Sequence, residues 1–237
     1  MQYVVQCIQT IDTGVEMFAI DVQNKEACRA ISDRYGKDNI SPLVRLISSG
    51  NTKLPSTTCV FNMGSAHSCP SMALGLCSAM KAGVKCYAIK AEYSFHPQCR
   101  PYRDRQEKFW KSISGKDFVT QFLFLNALKR VPFTALRLNE SGDFWSQECV
   151  DKAEYIATEL SKFGIKTYCY TSRKDLDYSK VQNLIINGSG FTKAGIVNEF
   201  KIVNKGEKIQ GYGKCAGDCS ICNRCQHKGM KTIVEKH

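Results

Sequence analysis

The sequence predicts an α/β fold, a partial parallel (β/α) barrel with a small N-terminal α+β unit and a C-terminal cysteine-rich, cluster-binding tail. From about residue 57, short apolar segments alternate with segments of helical periodicity, which is typical of βα units and a parallel sheet. Right-handed crossovers make such a sheet twist open or curl, and too few units are present for a complete eight-stranded barrel. We therefore expect three parts, residues 1–50, 51–204 and 205–237.

Residues 1–50 predict the small leading unit. Two β-rich segments, Tyr3–Ile8 and Glu16–Val22, are expected to pair as a hairpin. Helical spacing runs through Lys25–Tyr35 and stops at Gly36, and Leu43–Ile47 is a further short apolar segment. Nothing in this unit carries a catalytic motif.

Residues 51–204 contain the predicted βα units. The expected strands are Thr58–Phe61, Thr134–Leu138, Lys166–Thr171, Asn183–Asn187 and Glu199–Val203. The expected helices are Tyr102–Ile113, Asp117–Lys129 and Ser146–Phe163, with a short polar helix or turn at Asp175–Lys180. The third helix is the most clearly patterned, because its apolar residues share one face and Gly164 follows it.

The tail carries four cysteines in eleven positions, with C-x3-C-x2-C-x2-C spacing: Cys215, Cys219, Cys222 and Cys225. Spacers this short let one loop turn several sulfurs toward one point, which suits a [4Fe–4S] cluster or a tetrahedral zinc ion. Zinc sites usually separate two C-x2-C pairs by a longer spacer, which is absent here. The spacing therefore favours an iron–sulfur cluster, with zinc as the alternative. We expect the tail to pack against the strand ends.

A second group of cysteines, Cys69, Cys77 and Cys86, follows the first predicted strand of the barrel. Three thiolates leave one iron of a cubane open, the arrangement in which S-adenosylmethionine chelates iron in radical enzymes. A fourth ligand is the alternative, for which the candidates are Cys99, Cys59, His67, His96 or an exogenous group. Unrelated buried thiols are the other explanation, because cysteine is often part of a core.

Polar turns follow three of the predicted strands. Carboxyl ends of parallel strands share one edge of a sheet, so these turns predict a cofactor-binding rim. Its candidate residues are Glu140, Ser141, Gly142, Asp143, Ser172, Arg173, Gly188, Ser189 and Gly190. Turns favour such residues in any case, as caps and turn formers. Beside an anionic cluster, we also expect Arg137, Arg173 or Arg103 to pair with Glu140 or Asp143, or a cationic ligand such as a sulfonium to occupy the gap. The alternative is that Asp143 caps the helix that follows. No residue is assigned a catalytic role.

Composition narrows the class of protein. The chain has 237 residues and thirteen cysteines, with no visible signal peptide and no apolar run of membrane-spanning length. We therefore expect a cytoplasmic protein without a membrane partner, in which the cysteines are metal ligands rather than disulfides. Its formal charge is +11, and two clusters of about −2 each reduce this to about +7. The remainder permits nucleic-acid binding, although a generally basic soluble protein explains it equally. A redox partner is a further expectation.

The chain also resembles a phage and prophage family known as gene product eighty-eight, over roughly Gly50 to Cys225. The resemblance rests on Gly50–Leu54, Ser68–Pro70, Leu74–Cys77, Lys85–Glu92, Tyr102–Gln106, Leu136–Phe144, Tyr170–Arg173 and Cys215–Cys225. It implies cluster-binding cysteines at positions 69, 77, 86, 215, 219, 222 and 225. The family is distantly similar to radical S-adenosylmethionine barrels, but their compact C-x3-C-x2-C motif after the first strand is absent here.

Three functional hypotheses follow. The first is a protein with two [4Fe–4S] clusters that serve structure or electron transfer. The second is a radical S-adenosylmethionine-like redox enzyme with an open-iron cluster at Cys69, Cys77 and Cys86. The third is a zinc-binding, nucleic-acid-binding protein.

Overall fold

The computed structural model describes residues 3–6, 17–94 and 97–236. Of residues 3–6, 17–20 and 94 it describes the backbone alone. The leading unit contains an antiparallel pair, β1 (Tyr3–Gln6) and β2 (Met17–Ile20), in which Tyr3 is opposite Ile20. The predicted hairpin is confirmed in its pairing, while its turn lies outside the described residues. Helix α1 (Lys25–Tyr35) follows and has the predicted bounds; Asn24 caps its start, accepting the Ala27 N–H at 3.0 Å.

The central feature is an eight-stranded sheet in which every neighbouring pair is parallel except the first. Its order is β3-β4-β5-β6-β7-β8-β10-β9. The strands are β3 (Ser48–Ser49), β4 (Thr58–Phe61), β5 (Ala135–Leu138), β6 (Lys166–Thr171), β7 (Ile185–Ser189), β8 (Asn198–Val203), β9 (Gly213–Lys214) and β10 (Lys231–Glu235). A mixed α/β protein with a mostly parallel sheet is therefore confirmed.

The remaining helices are α2 (Lys37–Ile40), α3 (Pro70–Ala73), α4 (Ser78–Lys81), α5 (Tyr87–Ser94), α6 (Cys99–Ser112), α7 (Gly115–Leu128) and α8 (Gln147–Ser161), with 3₁₀ turns at Pro42–Arg45 and Arg224–Gln226. The three long helices α6–α8 lie close to their predicted ranges. The predicted Asp175–Lys180 segment is a series of turns rather than a helix. No helix in the described part of the chain combines the length and apolarity that a membrane crossing needs.

One face of the sheet carries the hydrophobic core. From β4 to β8 the strand order follows the chain, and right-handed crossovers then place the intervening helices on the same face. The core joins Phe61 of β4 and Leu136 of β5 to Trp110 of α6 and Phe118 of α7. The Phe61 and Phe118 rings meet edge to face, with centroids 5.2 Å apart.

The opposite face carries the tail. Successive strand residues point to opposite faces, so Tyr168 and Tyr170 of β6 turn away from the helices, whereas Cys169 enters the core. Tyr168 and Tyr170 pack with Ala135 and with Cys225 of the tail. The tail also adds β9 and β10 to the sheet. It therefore packs across the sheet face instead of only at the strand ends where we expected it.

Candidate metal and ligand site

The three widely spaced cysteines lie at the starts of short helices. Cys69 directly precedes α3, Cys77 precedes α4 and Cys86 precedes α5. Burial raises the pKa of the Cys69 thiol to about 12; the nearby Asp143 carboxylate and Cys77 act in the same direction, while backbone N–H groups of Ser71 and Met72 oppose them. The charge of Cys77 therefore acts on the Cys69 thiol.

Asp143 ties the segment that carries Cys69, Cys77 and Cys86, here called the cysteine loop, to the carboxyl ends of β5 and β6. Its buried carboxylate accepts the Ser71 and Thr171 hydroxyls, each at 2.6 Å, and the backbone N–H groups of Phe144 at 2.8 Å and Ser172 at 2.9 Å. Burial raises the pKa of this carboxyl, and the four hydrogen bonds act against that shift. The candidate rim residue Asp143 thus has a structural role in joining three chain segments.

A buried ion pair, Arg103–Glu92 at 2.8 Å, supports the same loop from the other side. Glu92 also accepts the Ala66 N–H at 2.8 Å and the Ser141 hydroxyl at 3.3 Å. We expected Arg137, Arg173 or Arg103 to pair with Glu140 or Asp143, and among the described residues no ion pair joins any of these arginines to either carboxylate. Arg103 pairs with Glu92, and Arg173 pairs with Asp175 at 2.8 Å, because these carboxylates lie closer in the folded chain.

Other rim residues also have partners within the fold. The Ser141 N–H donates to Asn62 at 2.8 Å, and Arg173 donates to the Phe144 and Trp145 carbonyls. At Gly142, with φ of 77°, a Cβ would lie 2.8 Å from the Gly64 carbonyl oxygen. At Gly188 a Cβ would meet the Phe191 carbonyl. The backbone carbonyl of Glu140 accepts the Tyr87 hydroxyl, and its carboxylate accepts Asn51 at 2.8 Å.

A cavity of about 330 Å³ lies at the carboxyl ends of β6 and β7, beside α4. Three of the predicted rim residues, Ser172, Ser189 and Gly190, line it together with Ser78, Lys81, Lys174, Leu76, Ala82 and Phe191. The Ser78 and Ser172 hydroxyls are 3.2 Å apart, and Ser78 also donates to the Ser189 carbonyl. Because Ser78 directly follows Cys77, the cavity adjoins the widely spaced cysteines.

The tail cysteines are all partly buried and free of disulfides. Backbone hydrogen bonds fix the loop that carries them, from the Cys215 N–H to the Ile233 carbonyl at 2.8 Å and from the Cys219 N–H to the Lys53 carbonyl at 2.7 Å. Asn187 donates to the Cys225 carbonyl at 3.0 Å, and Asn198 donates to the His227 carbonyl at 2.7 Å.

The tail thiols affect one another's pKa. Burial raises the pKa of Cys219, and its neighbours Cys215 and Cys222 add to that rise. Burial likewise raises the pKa of Cys225, to which Cys215 and Cys219 contribute. Within the described residues, however, no group of three or more Cys, His, Asp or Glu side chains is arranged so as to hold a metal ion.

The alternative fourth ligands for Cys69, Cys77 and Cys86 are placed as follows. Cys59 is fully buried in the core among the helices, so it is better explained as a core thiol. Cys99 begins α6 and lies near Arg103 and Glu92. The His67 ring is 3.3 Å from the Tyr93 hydroxyl. His96 lies outside the described residues.

The fold and site together define a mixed α/β protein in which two cysteine groups flank a mostly parallel sheet. The family model described as Gene product 88 matches residues 22–209, which are 188 of the 237 residues, so the chain belongs to the gene product 88 family. The match includes Cys69, Cys77 and Cys86 but ends before Cys215. It begins earlier and ends earlier than the resemblance we expected. No curated protein and no solved structure matches the chain.

Proposed function

We propose that the protein binds two [4Fe–4S] clusters, one through Cys69, Cys77 and Cys86 and one through Cys215, Cys219, Cys222 and Cys225, and that the clusters serve structure or electron transfer. The observation that carries the proposal is the tail: four free thiols that influence one another lie in one loop fixed to the sheet. Thiolates are the ligands that such clusters use. When bound, a cluster supplies a centre for one-electron transfer.

The donor set and the anchoring of the loop fit this group, although the sulfurs are not arranged to hold a metal. The proposal therefore requires the sulfurs to draw closer together on metal binding, as metal sites commonly form together with their ion. Asn187 and Asn198 keep the tail backbone against the sheet while this happens. Free thiols and clusters persist in a reducing compartment, so we place the protein in the cytoplasm.

The first test is metal analysis of protein purified without oxygen. Two cubanes predict about eight iron and about eight acid-labile sulfide per chain. One zinc per chain without sulfide supports instead the zinc-binding, nucleic-acid-binding alternative. Protein that contains neither metal after anaerobic reconstitution contradicts both.

A second candidate function is a radical S-adenosylmethionine-like enzyme, and the cavity beside Cys77 is the observation that favours it. Cys69, Cys77 and Cys86 would leave one iron free for such a ligand, and Ser78, Ser172 and Ser189 would contact the ligand in the cavity. The consecutive strand order with helices on one face supports the partial-barrel form of the sheet that this candidate implies. Reconstituted protein with dithionite as reductant should then produce 5′-deoxyadenosine from S-adenosylmethionine. Absence of that product, with both clusters present, rejects this candidate and leaves the first.

A further inference from the structure

Arg137 is a cation placed on the tail-covered face of the sheet. In β5, Leu136 and Leu138 point into the helix-covered core, so Arg137 must point to the other face with Ala135. The Arg137 guanidinium lies 5.2 Å from the ring centroid of Tyr170. Tyr170 in turn packs in the cluster that contains Cys225. Arg137 therefore contacts the aromatic ring that packs beside the tail cysteine Cys225.

Arg137 is partly buried, and the inner nitrogen of its guanidinium lacks a partner. Its Nε is buried and has no hydrogen-bond partner, and no ion pair joins it to a carboxylate of the described residues. The Glu140 carboxylate acts on the charge of Arg137, but this carboxylate is already hydrogen-bonded to Asn51. A buried polar nitrogen without a partner is costly, so Arg137 indicates an anion that completes the site.

Tyr87, which follows the other cysteine group in the chain, also acts on Arg137. Burial alone lowers the pKa of Arg137, but Tyr87, Tyr170, Tyr168 and Glu140 together raise it. Tyr87 directly follows Cys86, and its hydroxyl donates to the Glu140 carbonyl. Arg137 thus interacts with an aromatic side chain next to each cysteine group: Tyr170 packs beside Cys225, and Tyr87 follows Cys86.

We propose that Arg137 is the counter-cation of the metal–thiolate centre held by the tail. This inference rests on the proposed function, but on metal binding by the tail and not on which metal it is. Four thiolates around either a [4Fe–4S]²⁺ cluster or Zn²⁺ form a group of about −2 charge. A guanidinium beside that group stabilises the bound metal. In an iron–sulfur cluster it also favours the more negative reduced form, which raises the reduction potential.

The test compares the full-length chain with three variants, all reconstituted without oxygen. Arg137→Met removes the charge and keeps an apolar stem, whereas Arg137→Lys keeps the charge. Arg130→Met is the matched control, because Arg130 is exposed and the net charge changes equally. The measurements are the rate of metal loss to excess EDTA and, for an iron–sulfur centre, the midpoint potential of the tail cluster by EPR titration.

We expect Arg137→Met to lose tail metal at least tenfold faster and to weaken one-electron reduction about tenfold, which corresponds to about 59 mV. Arg137→Lys should lie between it and the wild type, and Arg130→Met should match the wild type. Wild-type rates and potential in Arg137→Met overturn the inference alone. A wild-type tail that binds no metal overturns the proposed function and this inference together.

A purely structural role for Arg137 makes a different prediction. With the metal removed, the buried and unpaired Nε of Arg137 should destabilise the fold, so metal-free Arg137→Met should unfold at the same urea concentration as metal-free wild type or a higher one. If Arg137 mainly supports packing, metal-free Arg137→Met is the less stable protein. That result would also overturn the inference.

Discussion

Replacing Asp143 by Asn should break the junction between the cysteine loop and the sheet. One carboxylate oxygen accepts Ser71 and the Ser172 N–H, and the other accepts Thr171 and the Phe144 N–H. An amide has only one oxygen, so its NH₂ group must face one of the two backbone N–H groups. The Ser71 and Thr171 hydroxyls can rotate and accept from the NH₂ group, but a backbone N–H cannot.

The expected loss follows from that count. A buried N–H without an acceptor costs about 1–3 kcal/mol, and the hydrogen bonds that remain lose their charge assistance. Relief of the carboxylate's burial, which raises its pKa, offsets part of this. We therefore expect Asp143→Asn to lower the free energy of unfolding by about 2 kcal/mol and the melting temperature by about 4–8 °C.

Urea unfolding of metal-free, reduced protein measures this effect without contributions from metal. Asp104→Asn is the matched control, because the Asp104 side chain is 42% exposed and its ion pair with Arg100 spans 3.8 Å. Such surface pairs contribute about 0–1 kcal/mol. If Asp143→Asn and Asp104→Asn are equally stable, Asp143 does not hold the loop in the way its hydrogen bonds indicate.

Three further predictions concern Gly142, the anchoring of the tail and stability in acid. Gly142→Ala should lower the melting temperature more than Gly206→Ala. Both glycines have positive φ, but of the two only Gly142 has backbone atoms where the Cβ would lie. Equal losses of melting temperature would exclude that contact as the cause. Asn187→Ala should speed amide hydrogen exchange in residues 215–227, because it frees the Cys225 carbonyl. The control Asn126→Ala, which frees Phe133, should leave exchange in these residues unchanged. Equal exchange of residues 215–227 in both variants argues against Asn187 as an anchor of the tail. The Arg173 partner lowers the pKa of Asp175, so the pair stabilises the fold above the unfolded-state pKa and is lost as pH falls through the lower folded-state pKa. The stability gap between wild type and Asp175→Asn should therefore close between about pH 5 and pH 2, and a gap independent of pH contradicts that origin.

Strand patterning in the sequence was enough to locate the parallel sheet. Thr58–Phe61 and Lys166–Thr171 are strands with the predicted bounds, because β-branched and aromatic residues concentrate there. The predicted helix Ser146–Phe163 is observed as Gln147–Ser161, a difference at the ends where helix boundaries are least defined. Helices α3 and α4 were not predicted, since four residues are too few to show a helical period.

Long-range partners were beyond the sequence. Arg103 was expected to pair with Glu140 or Asp143, but its partner is Glu92, eleven residues earlier in the chain. Asn187 was predicted at the end of one strand and Asn198 lies just before another, and their anchoring of the tail depends on chain segments about 30 to 40 residues away. Arg137 within an apolar strand was the one local signal that something polar would cover the second face of the sheet.

The central claim, that each cysteine group binds its own cluster, is tested most directly by iron and acid-labile sulfide content in matched cysteine variants purified without oxygen. The comparison is wild type, Cys69→Ser, Cys219→Ser and the control Cys149→Ser, whose thiol lies on α8 outside both groups. The account predicts about eight iron in wild type and control and about four in each of the other two variants. Wild-type iron content in Cys219→Ser, or one zinc per wild-type chain without sulfide, would contradict it.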